Sequence, residues 1–426
     1  MLTAHPHRES LHNEVHARPY ERLMAPLLLS HIALVGDADA AREHIASLLH
    51  KRHLPLPAED ANHLSIDLGG VHLRWEKHTE FHTCTFWKAL HDAPESFDAL
   101  ALADVPQEWL SAMPGQWIVG MHVMVRCDKG AEAQPRVQQI VRRWLQEESL
   151  LGSSVMDHDA EVYTDLQLAA DGFERFIVID EGMSPRRLGR TVQRLLEIET
   201  YRMMALMGLP MAREVGTSLV HAERDLANVA EQIRSAQRHQ EPELLRQLTL
   251  LAGQVESLYA RTHARFSASG AYFELVQRRI DELGEKRLES LQTLGEFMDR
   301  RLAPAMQTCV WAARRQQALS ERISRTSNLL RTRVEIEQQQ SSQELVDAMN
   351  RRQKAQMLLQ SAVEGLSVAA VTYYGAGLVG YIAKGLKAAN WPVSPDMAVA
   401  ACIPVIAAAV WLGIRRLHRK AQTLSL

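Results

Sequence analysis

Residues 365–383, GLSVAAVTYYGAGLVGYIA, and residues 397–414, MAVAACIPVIAAAVWLGI, decide how this chain is read. Neither run contains a charged residue, and neither shows the polar stripe of a soluble amphipathic helix. Each has about the length a helix needs to cross the hydrocarbon core of a bilayer, roughly 17–25 residues. The expectation is a transmembrane hairpin over 361–414, turning through KGLKAANWPVSPD at 384–396. The other reading is a pair of buried helices in a soluble protein. Its weakness is the charge at the flanks. Arg351, Arg352 and Lys354 precede the first run, and Arg415, Arg416, Arg419 and Lys420 follow the second. The turn carries only Lys384 and Lys387 with Asp396. Under the positive-inside rule both flanks face the cytoplasm, with the basic tail at 415–426. Trp391 and Trp411 fall near the ends of the runs, where amphipathic rings favour the interface.

Within the first run, Gly365 and Ala369 are four apart, as are Thr372, Ala376 and Gly380. That spacing lets helix backbones approach closely in lipid, although Gly and Ala are also simply common there. Glu364 stands at the edge of the run, where an ionisable group lines a pore mouth or snorkels to water. Pro404 interrupts the second run.

Lys and Arg number 48 against 51 Asp and Glu, a net charge of -3. This near balance argues against a nucleic-acid partner. No hydrophobic leader with a basic start is seen, so the amino-terminal bulk is expected in the cytoplasm. Cys84, Cys127, Cys309 and Cys402 form no CxxC pair, and neither a zinc knuckle nor a disulfide framework is expected.

The arm at 1–26 holds HPHRESLHNEVHARPY. Glu14 and His16 are candidate metal ligands, and Arg8 with Arg18 are candidates to clasp a phosphate or carboxylate. The plainer reading is an ordered arm pairing its Arg and His groups with the next domain. Thirteen of the 19 histidines precede Asp92; beyond His5-Pro6-His7 they are dispersed, without HExxH or HxH spacing.

Residues 27–182 read as an α+β domain on a mostly antiparallel sheet. LLLSHIALVGD is a strand. A helix follows Asp37. The long alternating stretch around Gly69-Gly70 has the form of a hairpin. GQWIVGMHVMVR is a strand and RVQQIVRRWLQEE a helix. SVMDHDAEVYTDLQLA and FERFIVID read as two strands turning at Asp171-Gly172. No GxGxxG or GxxxxGK[ST] follows any strand, so no nucleotide or other cofactor is expected.

Ser184-Pro185 opens a helical body over 183–360. Leu188, Val192, Leu195 and Leu196 form one apolar stripe, and Leu244, Leu248, Leu251, Val255 and Leu258 form a heptad seam. Breaks are expected at Gly208–Pro210, Glu241-Pro242, Ser267–Gly270 and Ala303-Pro304. From Leu329 no Pro or Gly occurs until Gly365, so one helix is expected to run into the first span.

The opening HPHRESLHNEVHARPY, the middle RLLEIETYRMMALMGLP and the late SNLLRTRVEIE with MNRRQKAQMLLQSAVEGLSVAAVTYYGAGLVGYI resemble a bacterial family of membrane-anchored proteins of unknown function. The resemblance covers nearly the whole chain. It implies an inner-membrane protein with a cytoplasmic body and carries over no catalytic residues. The order of parts is also similar to the CorA-type divalent-cation transporters, which are pentamers with the first of two carboxy-terminal spans lining the pore. Their Gly-Met-Asn signature is missing; Tyr374-Gly375-Ala376 and Gly380-Tyr381-Ile382 stand in this region instead. Fold likeness alone does not license function.

Three expectations follow. The first is a membrane-anchored interaction or scaffold protein, homo-oligomeric through its helical body and first span, with the lipid bilayer and an unidentified protein as partners. The second is a CorA-like cation conduit with Glu364, Ser367, Thr372 and Tyr374 along the pore. The third, an enzyme using the arm, ranks last because no triad, acid pair or metal spacing appears. No enzymatic activity is expected.

Overall fold

The computed structural model describes residues 5, 7–8, 12, 20–59, 61–128, 133–288, 290–389, 392 and 394–424. The chain divides into two compact units, Met1–Ala236 with Glu243–Ser327, and Gln237–Pro242 with Asn328–Leu426.

The first unit is built on a nine-stranded sheet of order β2-β3-β4-β1-β5-β8-β7-β6-β9. β1 (Leu27–Val35) lies between β4 (Phe81–Ala89) and β5 (Gln116–Arg126). Its neighbours are antiparallel; the single parallel pairing among named strands is β5 with β8 (Glu174–Asp180). A parallel pair needs a long crossover. Here that crossover contains α3 (Ala133–Trp144) and the hairpin of β6 (Leu151–Val155) with β7 (Ala160–Thr164).

The α+β class and mostly antiparallel sheet agree with the sequence reading, with two refinements. The stretch around Gly69-Gly70 holds three strands, β2 (His63–Asp67), β3 (His72–Lys77) and β4, because His78–Glu80 makes a second turn. Asp67 accepts from the N–H groups of Gly69 and Gly70, at 2.8 and 3.1 Å, and so fixes the first turn. SVMDHDAEVYTDLQLA, read as one strand, is the β6–β7 hairpin. It turns through left-handed backbone at Met156, Asp157 and His158.

Strand alternation sends side chains to opposite faces. Leu28 of β1 and Ile177 of β8 pack under α3, and the β2–β4 half of that face packs on α1 (Ala38–Lys51) and α2 (Gln107–Ser111). Leu27, Leu29, Val123 and Phe176 face the other way, into the largest core. That core is closed by α4 (Pro185–Leu206) together with α5 (Gly208–Ser235), α6 (Glu241–Leu283) and the start of α7 (Leu294–Ala388).

The helical body breaks at two of the four expected places, at Met207 just before Gly208 and over Ala236–Gln240 just before Glu241-Pro242, and runs on through the other two. α6 runs through Ser267–Gly270, and α7 runs through Pro304. Small residues at these points serve close packing: a Cβ on Gly208 would fall 2.5 Å from Ser269 Oγ. A further break, not expected from the sequence, lies at Gly284–Thr293. Gly284 takes φ +60 after α6, and Lys286–Arg287 adds β9 to β6. Thr293 and Glu296 then form a reciprocal capping box, with Thr293 Oγ1 accepting from Glu296 N and Glu296 Oε2 from Thr293 N, each at 3.1 Å. Glu285 accepts from the next two helical N–H groups, of Leu294 and Gly295.

In the second unit, α7 continues to Ala388 and α8 spans Pro395–Leu424. Both contain segments long and apolar enough to cross a membrane.

Candidate functional site

The site grows from α4. Ser184 occupies the N-cap position, where its carbonyl rather than its hydroxyl accepts from the first turn, and Pro185 is the first residue, where the missing N–H is not needed. Leu188, Val192 and Leu195 turn inward, each at most 1 % exposed. At Gly189 a Cβ would fall 1.8 Å from Glu21 O, so only glycine lets the incoming chain lie on the helix. Leu23 N donates to Pro185 O there, at 3.1 Å. This crossing makes Glu21 one wall of a cleft whose other walls are α4 and the face of β1, β3 and β4.

The cleft floor is charged. β3 points Arg74 and Glu76 toward α4, while Leu73 and Trp75 face the opposite core. Arg74 Nη2 donates to Glu76 Oε1 at 2.9 Å, and Nη1 lies 3.9 Å from Glu21 Oε1. Arg74 is 4 % exposed, and its Nε has no partner among the described residues. Burial works against ionised Glu76, but Arg74, with His78 and His63, outweighs it and holds the carboxyl below its ordinary range. On α4, Gln193 Nε2 donates to Glu197 Oε1 at 2.9 Å, leaving the buried Gln193 Oε1 without a partner.

His31 stands between the two layers. Thr200 Oγ1 donates to Leu196 O at 2.8 Å, so it accepts from His31 Nε2–H at 3.0 Å. Thr85 Oγ1 then donates to Nδ1 at 2.8 Å. Burial, outweighing the nearby Glu76 charge, depresses the imidazole to about 4 and keeps it neutral. His31 is therefore a structural clasp between sheet and helix.

Beyond the floor, His78, Phe81 and Tyr201 also line a second, wider recess with Tyr272 and Asn62. His78 stacks on Phe81 at 4.2 Å and Tyr201 on Tyr272 at 5.8 Å, a continuous aromatic rim.

The segment RLLEIETYR (194–202) thus supplies the helical side of the site. Arg194 pairs with Glu282, Glu197 with Arg279, and Arg202 with both Glu199 and Glu174. Two carboxylates share one guanidinium in that last group. Burial and the Glu199 charge raise Glu174 well above its ordinary value, against the pull of Arg202. On the other sheet face, Ser30 Oγ lies 2.8 Å from His122 Nδ1, and His122 Nε2 lies 3.8 Å from Asp171 Oδ2. The order looks like a hydrolase triad, yet Ser30 has no exposed surface. Burial, helped by Arg175, lowers His122 to about 3 despite Asp171.

Of the residues singled out from sequence, Glu14, His16, Arg18 and Trp391 lie outside the described residues. Arg8 is exposed, its backbone N–H donating to His5 O. Ser367 and Thr372 donate to Val363 O and Val368 O of their own helix. Tyr374 is exposed, and Glu364 half-buried. Gly365 and Ala369 are exposed, whereas Ala376 is buried. A Cβ on Gly380 would meet Val399 of α8 at 3.2 Å, and one on Gly375 would meet Ile406 at 3.2 Å. No group of three or more potential metal ligands occurs among the described residues. The cleft itself was not read from the sequence. Its one local sign is the alternation of charge in HLRWEK, where Arg74 and Glu76 occupy every second position of a strand.

Sheet, helical body and paired apolar helices define a class of two-part α+β protein. Residues 3–421 match the family described as "Protein of unknown function (DUF3422)", and the chain belongs to that family. Among curated proteins none matches it.

Proposed function

We propose that this chain is a multi-pass protein of the bacterial inner membrane, with both termini cytoplasmic, whose sheet-and-helix unit acts as an oligomeric scaffold. The observation that carries this is the exposure of large apolar side chains on the last part of α7 and on α8. Tyr373 is 77 % exposed, Tyr374 76 % and Leu366 75 %. An apolar surface of that extent needs a non-aqueous neighbour. Ala376 and Ala383 are buried in the same segment, so small residues on one side turn inward while Leu366, Tyr373 and Tyr374 face outward. That is the reverse of a soluble helical pair and suits a surround of lipid.

Self-association is supported further up α7. Leu345, Met349, Arg352, Gln356, Leu359, Val363 and Leu366 follow one another by four and three, and the apolar members are exposed. Alanine recurs every seventh residue beside them, at 348, 355, 362 and 369. A repeat of seven favours a second helix wound along it.

The test is alkaline extraction of membranes with cysteine crosslinking at Ala355 and Ala362. A chain left in the membrane pellet, and crosslinked at these positions but not at Asp347, supports the scaffold. A chain released by alkali removes it. A second reading, a CorA-like cation conduit, is favoured by the unbroken course of α7 from Leu294 to Ala388. Ion flux in proteoliposomes, abolished by changes at Tyr374, would select it over the scaffold.

A further inference from the structure

The cleft beneath α4 holds a buried donor and a buried acceptor that the described residues leave unused. Arg74 Nε–H has no acceptor, and Gln193 Oε1 has no donor. An unmade hydrogen bond in the interior is costly, and native proteins leave few of them. Both atoms belong to side chains lining the same cleft. Its formal charge is also unbalanced. Glu21, Glu76 and Glu197 line it against Arg74 alone, with Arg279 compensating Glu197 from outside. The remaining walls are apolar, among them Leu29, Val192 and Leu196.

The space has two parts. The inner chamber, of about 40 Å³, has room for on the order of three water-sized groups, the size of one carboxylate. The outer recess, of about 330 Å³, is rimmed by Phe81, Tyr201 and Tyr272. The two share His78, Phe81 and Tyr201 as a common wall.

We propose that this cleft binds a zwitterionic amino acid with a large apolar side chain. Its carboxylate enters the inner chamber against Arg74. Its ammonium group donates to Gln193 Oε1 and lies near the one carboxylate that Arg74 and Arg279 leave uncompensated. Its side chain fills the outer recess against the aromatic rim. Each part answers a separate feature: an acceptor for the orphaned guanidinium N–H, a donor for Gln193 Oε1, and an apolar body for the wide mouth. A simple anion adds to the negative charge and leaves Gln193 unanswered. A simple amine leaves Arg74 Nε unpaired. His31 takes no part in recognition, since both ring nitrogens are already bonded.

The site lies wholly within the first unit and does not depend on the membrane reading. The test is calorimetric titration of the full chain in detergent with leucine, methionine, phenylalanine, tyrosine and tryptophan. Phenethylamine, 3-phenylpropionate and alanine serve as the truncated probes. At least one large apolar amino acid is expected to bind saturably, about tenfold or more tighter than each truncated probe, because a site built for paired polar groups rejects ligands lacking one. Gln193→Leu and Tyr272→Ala are each expected to weaken that binding several-fold. Tyr272 is half-buried at the rim, so Tyr272→Ala keeps the test open if Gln193→Leu fails to fold. Equal affinity for phenethylamine or 3-phenylpropionate, unchanged binding in Tyr272→Ala, or no saturable binding below about 10 mM would overturn the proposal.

Discussion

α4 and the apolar end of α7 both carry leucine and other apolar residues, yet the chain treats them in opposite ways. In α4 the apolar residues recur every three or four positions and disappear into the sheet; Leu195 is 1 % exposed. The charged residues between them are paired one by one, Arg194 to Glu282, Glu197 to Arg279, and Arg202 to Glu199 and Glu174. In the last part of α7 the apolar run is unbroken; Gly375 and Gly380 approach Ile406 and Val399 of α8, while most of the large side chains stay exposed. A stripe can be satisfied by one sheet face. A helix apolar all round cannot, and requires a surrounding phase.

The contrast breaks most sharply with charge. Val371→Arg together with Val405→Arg places two guanidinium groups near the middles of the apolar runs, at about 2.5–3.5 kcal/mol each on insertion scales. The expected outcome is loss of the chain from alkali-washed membranes. Retention in the pellet would mean that these faces do not contact lipid. Truncation sharpens the same comparison. Leu195→Ala should lower the stability of the first unit by about 2–5 kcal/mol in urea titration, because it leaves a cavity. Leu366→Ala should change it by less than about 0.5 kcal/mol, as for an exposed site.

pH separates two kinds of buried polar group within the first unit. His31 and His122 are depressed to about 4 and about 3 from 6.5, so the unfolded chain binds more protons below pH 6.5. Their stabilising share is full above that pH and is lost progressively toward pH 4 and 3. His122→Phe should therefore flatten the fall of Tm between pH 6.5 and 4. Glu174 is raised, so its share is present below about pH 4.5 and is lost as pH climbs toward its folded value. The Tm advantage of Glu174→Gln over the unaltered protein should accordingly grow from pH 5 to pH 9. A modest effect is expected at the start of α7, where Thr293→Ala removes half of the capping box. About 1 kcal/mol is expected, read by urea unfolding.

The Thr293 cap also shows where sequence reading fell short. T-x-x-E at 293–296 and glycine at 284 were both visible, but the apolar steps Leu283, Leu291 and Leu294 continued across them and suggested one helix. Periodicity ignores a ten-residue excursion that happens to restore phase. Ser267–Gly270 and Pro304 misled in the other direction. Glycine, serine and proline weaken an isolated helix, and packing against neighbours overrides that weakness.

What the sequence determined alone was local or compositional. It set the strand-rich first part, the helix opening at Ser184-Pro185, and two runs too apolar for a one-sided helix. Each follows from neighbours a few residues apart, whose chemistry fixes period and solvent preference. The cleft was decided only by the tertiary structure. His31 meets Thr200 across 169 positions, and the pairing of Arg202 with Glu174 spans 28. Whether Arg74 and Gln193 share a space depends on how the sheet twists beneath α4 and on Gly189 admitting the chain at Glu21. Such meetings are set by the packing of whole layers, and no local pattern encodes them.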